Sequence, residues 1–137
     1  MMTNSSSPDM ESMLRALSER VRLRILNLIG DTELCVCFFV QALQLPQPTI
    51  SRHLAYLRRE NVVTARREGL WMHYRVNFPA DPNVARVLSS TLDWCADQPD
   101  MKRDRQRLNK ACCAPEKFVS LENAPLPKPL SATLERK

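Results

Sequence analysis

Four of the five cysteines of this 137-residue chain stand in two close pairs, Cys35 and Cys37 in ELCVCFFVQAL (33–43) and Cys112 and Cys113 in ACCAPE (111–116). Thiolates are the soft donors of proteins, suited to soft metal ions, and the nucleophiles of thiol redox chemistry. A cysteine also packs as a small hydrophobe, and Cys95 reads that way, following Val84, Val87, Leu88 and Leu92 along one helical face. An odd number of thiols leaves one over in any pairing, so a disulfide framework is not expected. With two histidines and no CxxC pair, neither is a zinc site. Apolar spacing over 33–44 predicts a helix, on which residues i and i+2 point about 200° apart. Capture of one ion by both Cys35 and Cys37 therefore implies distortion at the start of that helix, since only extended chain turns such residues the same way.

A second constellation lies at 47–60. Advancing about 100° per residue, Ile50, Leu54 and Leu57 share one stripe, while Thr49, Arg52 and Tyr56 fall opposite, on the face shown to solvent or to DNA, and His53 on the boundary. Gln47 and Ser51 are near the amino-terminal end, where base edges and phosphates are met. Across residues 47–77 six arginines face two glutamates, a net charge of +4 in a chain whose total is +5. Arginine pairs with phosphate and contacts guanine bidentately. Arg52 suits either task, and Arg66 and Arg67 suit the DNA backbone or minor groove.

The elements that must hold these groups follow from the same pattern. Met13, Leu14, Leu17, Val21, Ile25 and Leu28 predict helices over about 10–17 and 19–29, the second capped by Ser18 and stopped by Gly30. The LPQP of 45–48 ends the helix of 33–44, and Pro48 opens the next, which runs to about Glu60. VVTARR (62–67) and WMHYRVN (71–77) flank Glu68-Gly69-Leu70 as a β-hairpin, and 83–98 returns to helical spacing. The expected fold is mainly α with a β-hairpin wing, a winged helix-turn-helix spanning 10–100. It follows a flexible lead-in (1–9) and precedes a tail (101–137), charged, then proline-rich and disordered, carrying Cys112 and Cys113.

Three motifs together, ELCVC (33–37), QPTISRHLAYLR (47–58) and the R-x-G-x-x-x-x-Y wing (67–74), resemble the arsenic-sensing branch of the ArsR/SmtB repressors. The resemblance extends over about 10–100. It implies a dimeric repressor, paired through its first and last helices, that leaves double-stranded operator DNA when As(III) or Sb(III) binds cysteine thiolates. Carried over by position, Cys35 and Cys37 match thiol ligands, and Gln47, Thr49, Ser51, Arg52 and His53 match the DNA-facing helix. Where that branch commonly continues C-V-C-D-L-C, this chain has Phe38, Phe39 and Val40. Cys112, Cys113 and Cys95 are the candidates for a third donor.

The basic balance favours an anionic partner, and no apolar run approaches the roughly 20 residues of a membrane span. A cytoplasmic protein without a constitutive cofactor is expected. The competing reading is a winged-helix regulator that senses thiol oxidation. No Gly-rich phosphate loop or nucleophile arrangement suggests an enzyme.

Overall fold

The computed structural model describes residues 7–113 and 125–129. The expected proline-rich tail, and residues 1–6 of the lead-in, otherwise lie outside the described residues. In chain order the elements are α1 (Met10–Ala16), α2 (Arg20–Ile29), β1 (Thr32–Cys35), α3 (Val36–Leu43), α4 (Gln47–Arg59), β2 (Val63–Glu68), β3 (Trp71–Val76), α5 (Pro82–Ala96), α6 (Pro99–Cys113) and β4 (Lys128–Pro129). The helix-turn-helix is α3–α4 and the wing is β2–β3, as the spacing predicts.

Local chemistry sets the boundaries. Asp9 caps α1 by accepting from the Ser12 N–H at 2.9 Å. At α2 the cap is Glu19, whose carboxylate accepts from the Arg22 N–H at 3.1 Å. Ser18, the expected cap, instead donates back to the Arg15 carbonyl at 2.8 Å. Gly30 ends α2 at φ 55° and Gly69 opens the two-residue hairpin loop at φ 61°, conformations that favour glycine. Phe38, Phe39, Ile50, Leu54 and Leu57 are buried in one core with Met13, Leu26 and Leu34. Burying a side chain of this size contributes about 2 kcal/mol, so the Ile50/Leu54/Leu57 stripe alone decides which face of α4 turns outward.

Two elements differ from expectation. The helix over 33–44 begins only at Val36, because residues 32–35 form a strand antiparallel to β3, with Leu34 opposite Tyr74 and Cys35 opposite His73. The sheet order is β2-β3-β1-β4, so the wing is the outer part of a larger sheet that includes the first thiol. Residues 101–113, expected to begin a tail, belong to α6, which packs against α2 and α3. Met101, Asp104, Leu108 and Ala111 form its buried stripe. Asp104, fully buried, accepts from Arg24 and Arg107, each at 2.8 Å, and those guanidiniums also donate to the Leu43 and Ala42 carbonyls at the end of α3.

Candidate DNA interface and thiol site

Helix α4 presents Gln47, Ser51 and Arg52 to solvent, followed by Arg58 and Arg59. Thr49, His53 and Tyr56 are half-buried. The Tyr56 ring lies under the Arg22 guanidinium, 4.3 Å from its centroid, with Arg59 at 5.2 Å, so its face is taken up by cations. His53 Nδ1 is 4.0 Å from Glu19, and burial pushes its imidazole below the ordinary value, keeping it neutral at neutral pH. Tyr56 and His53 thus brace α4 against α2 (Arg22) and its cap (Glu19), and the residues at the front of α4 that face outward are Gln47, Ser51 and Arg52.

On the wing the two neighbouring arginines part ways. Arg67 is exposed toward the hairpin end. Arg66 instead donates from Nε and a terminal nitrogen to both carboxylate oxygens of Glu33, at 2.9 and 2.7 Å, and stands 3.6 Å from Glu68. This fork holds the Glu33 carboxyl below the usual carboxylate range. His73 is buried between them in register, its Nε2 3.0 Å from Glu68 Oε1 but outside hydrogen-bonding geometry. Sequence reasoning missed Glu33 and His73. The one available signal was the alternation of Glu33 with Cys35, two residues apart as on one face of a strand.

At the junction of β1 and α3, Cys35 is extended (φ −73°, ψ 144°) and occupies the N-cap position, while Cys37 sits in the first helical turn. The Cys37 thiol donates to the Cys35 sulfur with the two sulfurs 3.2 Å apart. The expected need to unwind a helix is thereby removed: the chain enters α3 from a strand, and the turn brings both thiols together. That donation pulls the Cys35 thiol down to about 7, against burial and helped by the Val36 and Cys37 N–H groups. Cys37, the donor, is pushed up by the same contact and by burial. Deprotonation of Cys35 near neutrality sets a pH window for its reaction as a thiolate. Its rate should rise through pH 7 and level off above pH 8, as stopped-flow loss of thiols would show. A midpoint near the ordinary thiol pKa of about 8.5 would contradict this.

The remaining cysteines are placed differently. Cys95 is buried with Leu23 and Met101, the packing expected of it, and burial raises its thiol. Cys112 is half-buried on the last turn of α6 at the margin of the main core. Cys113 ends α6, and its side chain is outside the described residues. Among the described residues no three His, Cys, Asp or Glu side chains gather closely enough to hold a metal ion, so Cys112 does not join Cys35 and Cys37 in one group.

A helix-turn-helix whose second helix exposes Gln47, Ser51 and Arg52 beside a basic hairpin defines a winged-helix DNA-binding regulator. The sequence matches the family described as bacterial regulatory protein, arsR family, over residues 19–65. It is 38% identical over 97 residues to the arsenic resistance transcriptional regulator ArsR1 of Pseudomonas putida, covering 70% of this chain and 74% of that one. To the arsenical resistance operon repressor of Escherichia coli it is 32% identical over 103 residues, covering 74% and 86%. The fold is similar to HlyU from Vibrio cholerae, with a TM-score of 0.54, 30% identity, and coverage of 61% of this chain and 88% of that one. The chain belongs to the ArsR family, and is a transcriptional repressor, not an enzyme. Among the described residues no helix is long and apolar enough to cross a membrane.

Proposed function

We propose that this repressor leaves its operator when a trivalent arsenical or antimonial is captured by Cys35 and Cys37. The observation that supports it is the 3.2 Å separation of the two sulfurs. A shared ion about 2.3 Å from each sulfur would subtend about 90°, whereas a tetrahedral ion would need sulfurs about 3.8 Å apart. Trivalent arsenic and antimony carry a lone pair and bond at nearly right angles, so the pair fits them better than zinc. In capture, two arsenic-bound hydroxyls leave as two waters, each taking one thiol proton, and two As–S bonds form. Gln47, Ser51 and Arg52 supply the operator-reading contacts in this reading, with Thr49 at their margin and Arg67 on the phosphate backbone.

The active form is a homodimer. Leu14 on α1 and Trp94 on α5 are 53% and 48% exposed. With Leu17, Leu23, Val87 and Thr91 they line an open apolar groove of about 460 Å³ between α1, α2 and α5, and α1 and α5 correspond to the helices of 10–17 and 83–98 through which family dimers are expected to pair.

A two-thiol site suits a mono-organoarsenical, which offers two exchangeable bonds, at least as well as inorganic arsenite. Fluorescence anisotropy of labelled operator should show release by phenylarsine oxide with loss of two thiols per chain. The double variant Cys112→Ser/Cys113→Ser should respond to it like the wild type. A double variant that responds to neither arsenical would place Cys112 or Cys113 in the site, and a wild type that stays on the operator would overturn the reading. Release by peroxide with no response to arsenicals would favour thiol oxidation instead.

A further inference from the structure

We infer that the Glu33–Arg66 ion pair is the positioning contact through which the state of the thiol pair reaches the wing, and that Arg66 serves this link instead of the operator. The inference rests on the proposed release by thiol capture and adds the route it takes. Cys35, His73 and Arg66 form one row across β1, β3 and β2, each directly opposite the next. Glu33 lies two residues before Cys35 on the same strand, hence on the same face. Its carboxylate reaches past β3 to Arg66 on β2, at 2.7 and 2.9 Å. The two strands it joins are about 10 Å apart.

Geometry makes this contact directional. A two-pronged guanidinium–carboxylate pair fixes both separation and plane, which a single point charge does not. The Glu33 side chain is 10% exposed and that of Arg66 42%, so the acid is anchored in the thiol strand while the base belongs to the wing surface. The ladder from β1 to β3 is short, pairing only Leu34 with Tyr74 and Cys35 with His73. The ion pair therefore supplies the side-chain tie from the thiol strand to the strand that carries Arg67. The two sulfurs keep their spacing on capture, but an ion about 2.3 Å from each must be accommodated beside the fully buried Cys35. The added bulk shifts β1 and with it Glu33, breaks the fork and frees the wing from its operator-bound orientation. Coupling of this kind needs an element that both sites bias, and β1 is shared by both.

The test uses the full-length protein, labelled operator and phenylarsine oxide, with Glu33→Gln and Arg66→Lys as variants. Glutamine keeps the shape of Glu33 without its charge, and lysine keeps the charge of Arg66 without the fork. Both variants should bind operator without arsenical more weakly than wild type and by a similar factor, since each breaks the fork beforehand, and should lose two thiols to phenylarsine oxide as wild type does. The ratio of operator Kd with and without arsenical, typically 5–150-fold for such coupling, should fall below about threefold. Wild-type release by both variants would overturn the link alone. Loss of affinity in Arg66→Lys without arsenical, at unchanged affinity in Glu33→Gln, would make Arg66 a phosphate contact and also overturn it. A wild type that takes up the arsenical without release would overturn the release mechanism and the link together.

Discussion

Serine in place of Cys35 should leave the operator complex as tight as in the wild type and abolish its response to arsenicals, a loss of roughly 5–150-fold in operator-affinity ratio. The side chain is fully buried, away from the exposed face of α4, so nothing that reads DNA is removed. It occupies the N-cap of α3, a position where serine is among the preferred residues. The fold should therefore tolerate the exchange while the soft donor is lost. Cys37→Ser should behave likewise. The contrast is Cys95→Ser, which places a hydroxyl among Leu23 and Met101. It should lower stability by about 1–3 kcal/mol and leave release intact. Anisotropy and thermal melting on the three variants separate the roles, and normal release by Cys35→Ser would remove that thiol from the site.

Asp104→Ala should be the most destabilising single change in α6, at about 3 kcal/mol. The carboxylate is fully buried and is shared by Arg24 and Arg107, whose side chains are 16% and 29% exposed. Its removal leaves two guanidiniums poorly hydrated and without their anion, and loosens the hold both have on the last carbonyls of α3. Urea unfolding would show the loss as a lower midpoint. The cost should fall on α6 packing first, so thiol labelling of Cys112 should accelerate in the variant. An unchanged midpoint would mean that the network contributes nothing to stability.

The same aspartate explains why α6 could not be read from the sequence. Its buried stripe is Met101, Asp104, Leu108 and Ala111, and a charged residue in the second place makes the pattern look like a solvated run. The pairing that neutralises it comes from Arg24, 80 residues earlier. Helix α4 was legible because Ile50, Leu54 and Leu57 declare one face without help from elsewhere. Gly69 was legible because a two-residue hairpin loop wants glycine. Strand β1 was not, since four residues become a strand only when β3 is beside them, and the apolar run from Leu34 to Leu43 suggests one continuous helix. The thiol pair was found by residue type, but its readiness was not. Its 3.2 Å approach depends on that strand-to-helix junction. From the sequence Arg66 reads as one more basic residue of the wing, because its partner Glu33 stands 33 residues away and only the sheet reveals it.

The outer edge of β1 is taken by β4, Thr32 opposite Pro129 and Glu33 opposite Lys128. An edge strand is where a sheet accommodates proline. During synthesis β1 is followed by β3 within the same winged unit, and its other neighbour, β4, comes only after α5 and α6. Contacts between segments so distant in sequence form late, because the entropy of closing the loop must be met before the pairing rewards it. The strand that carries the first thiol is thus completed late, so a nascent chain has helix α4 formed before β1 is enclosed on both sides.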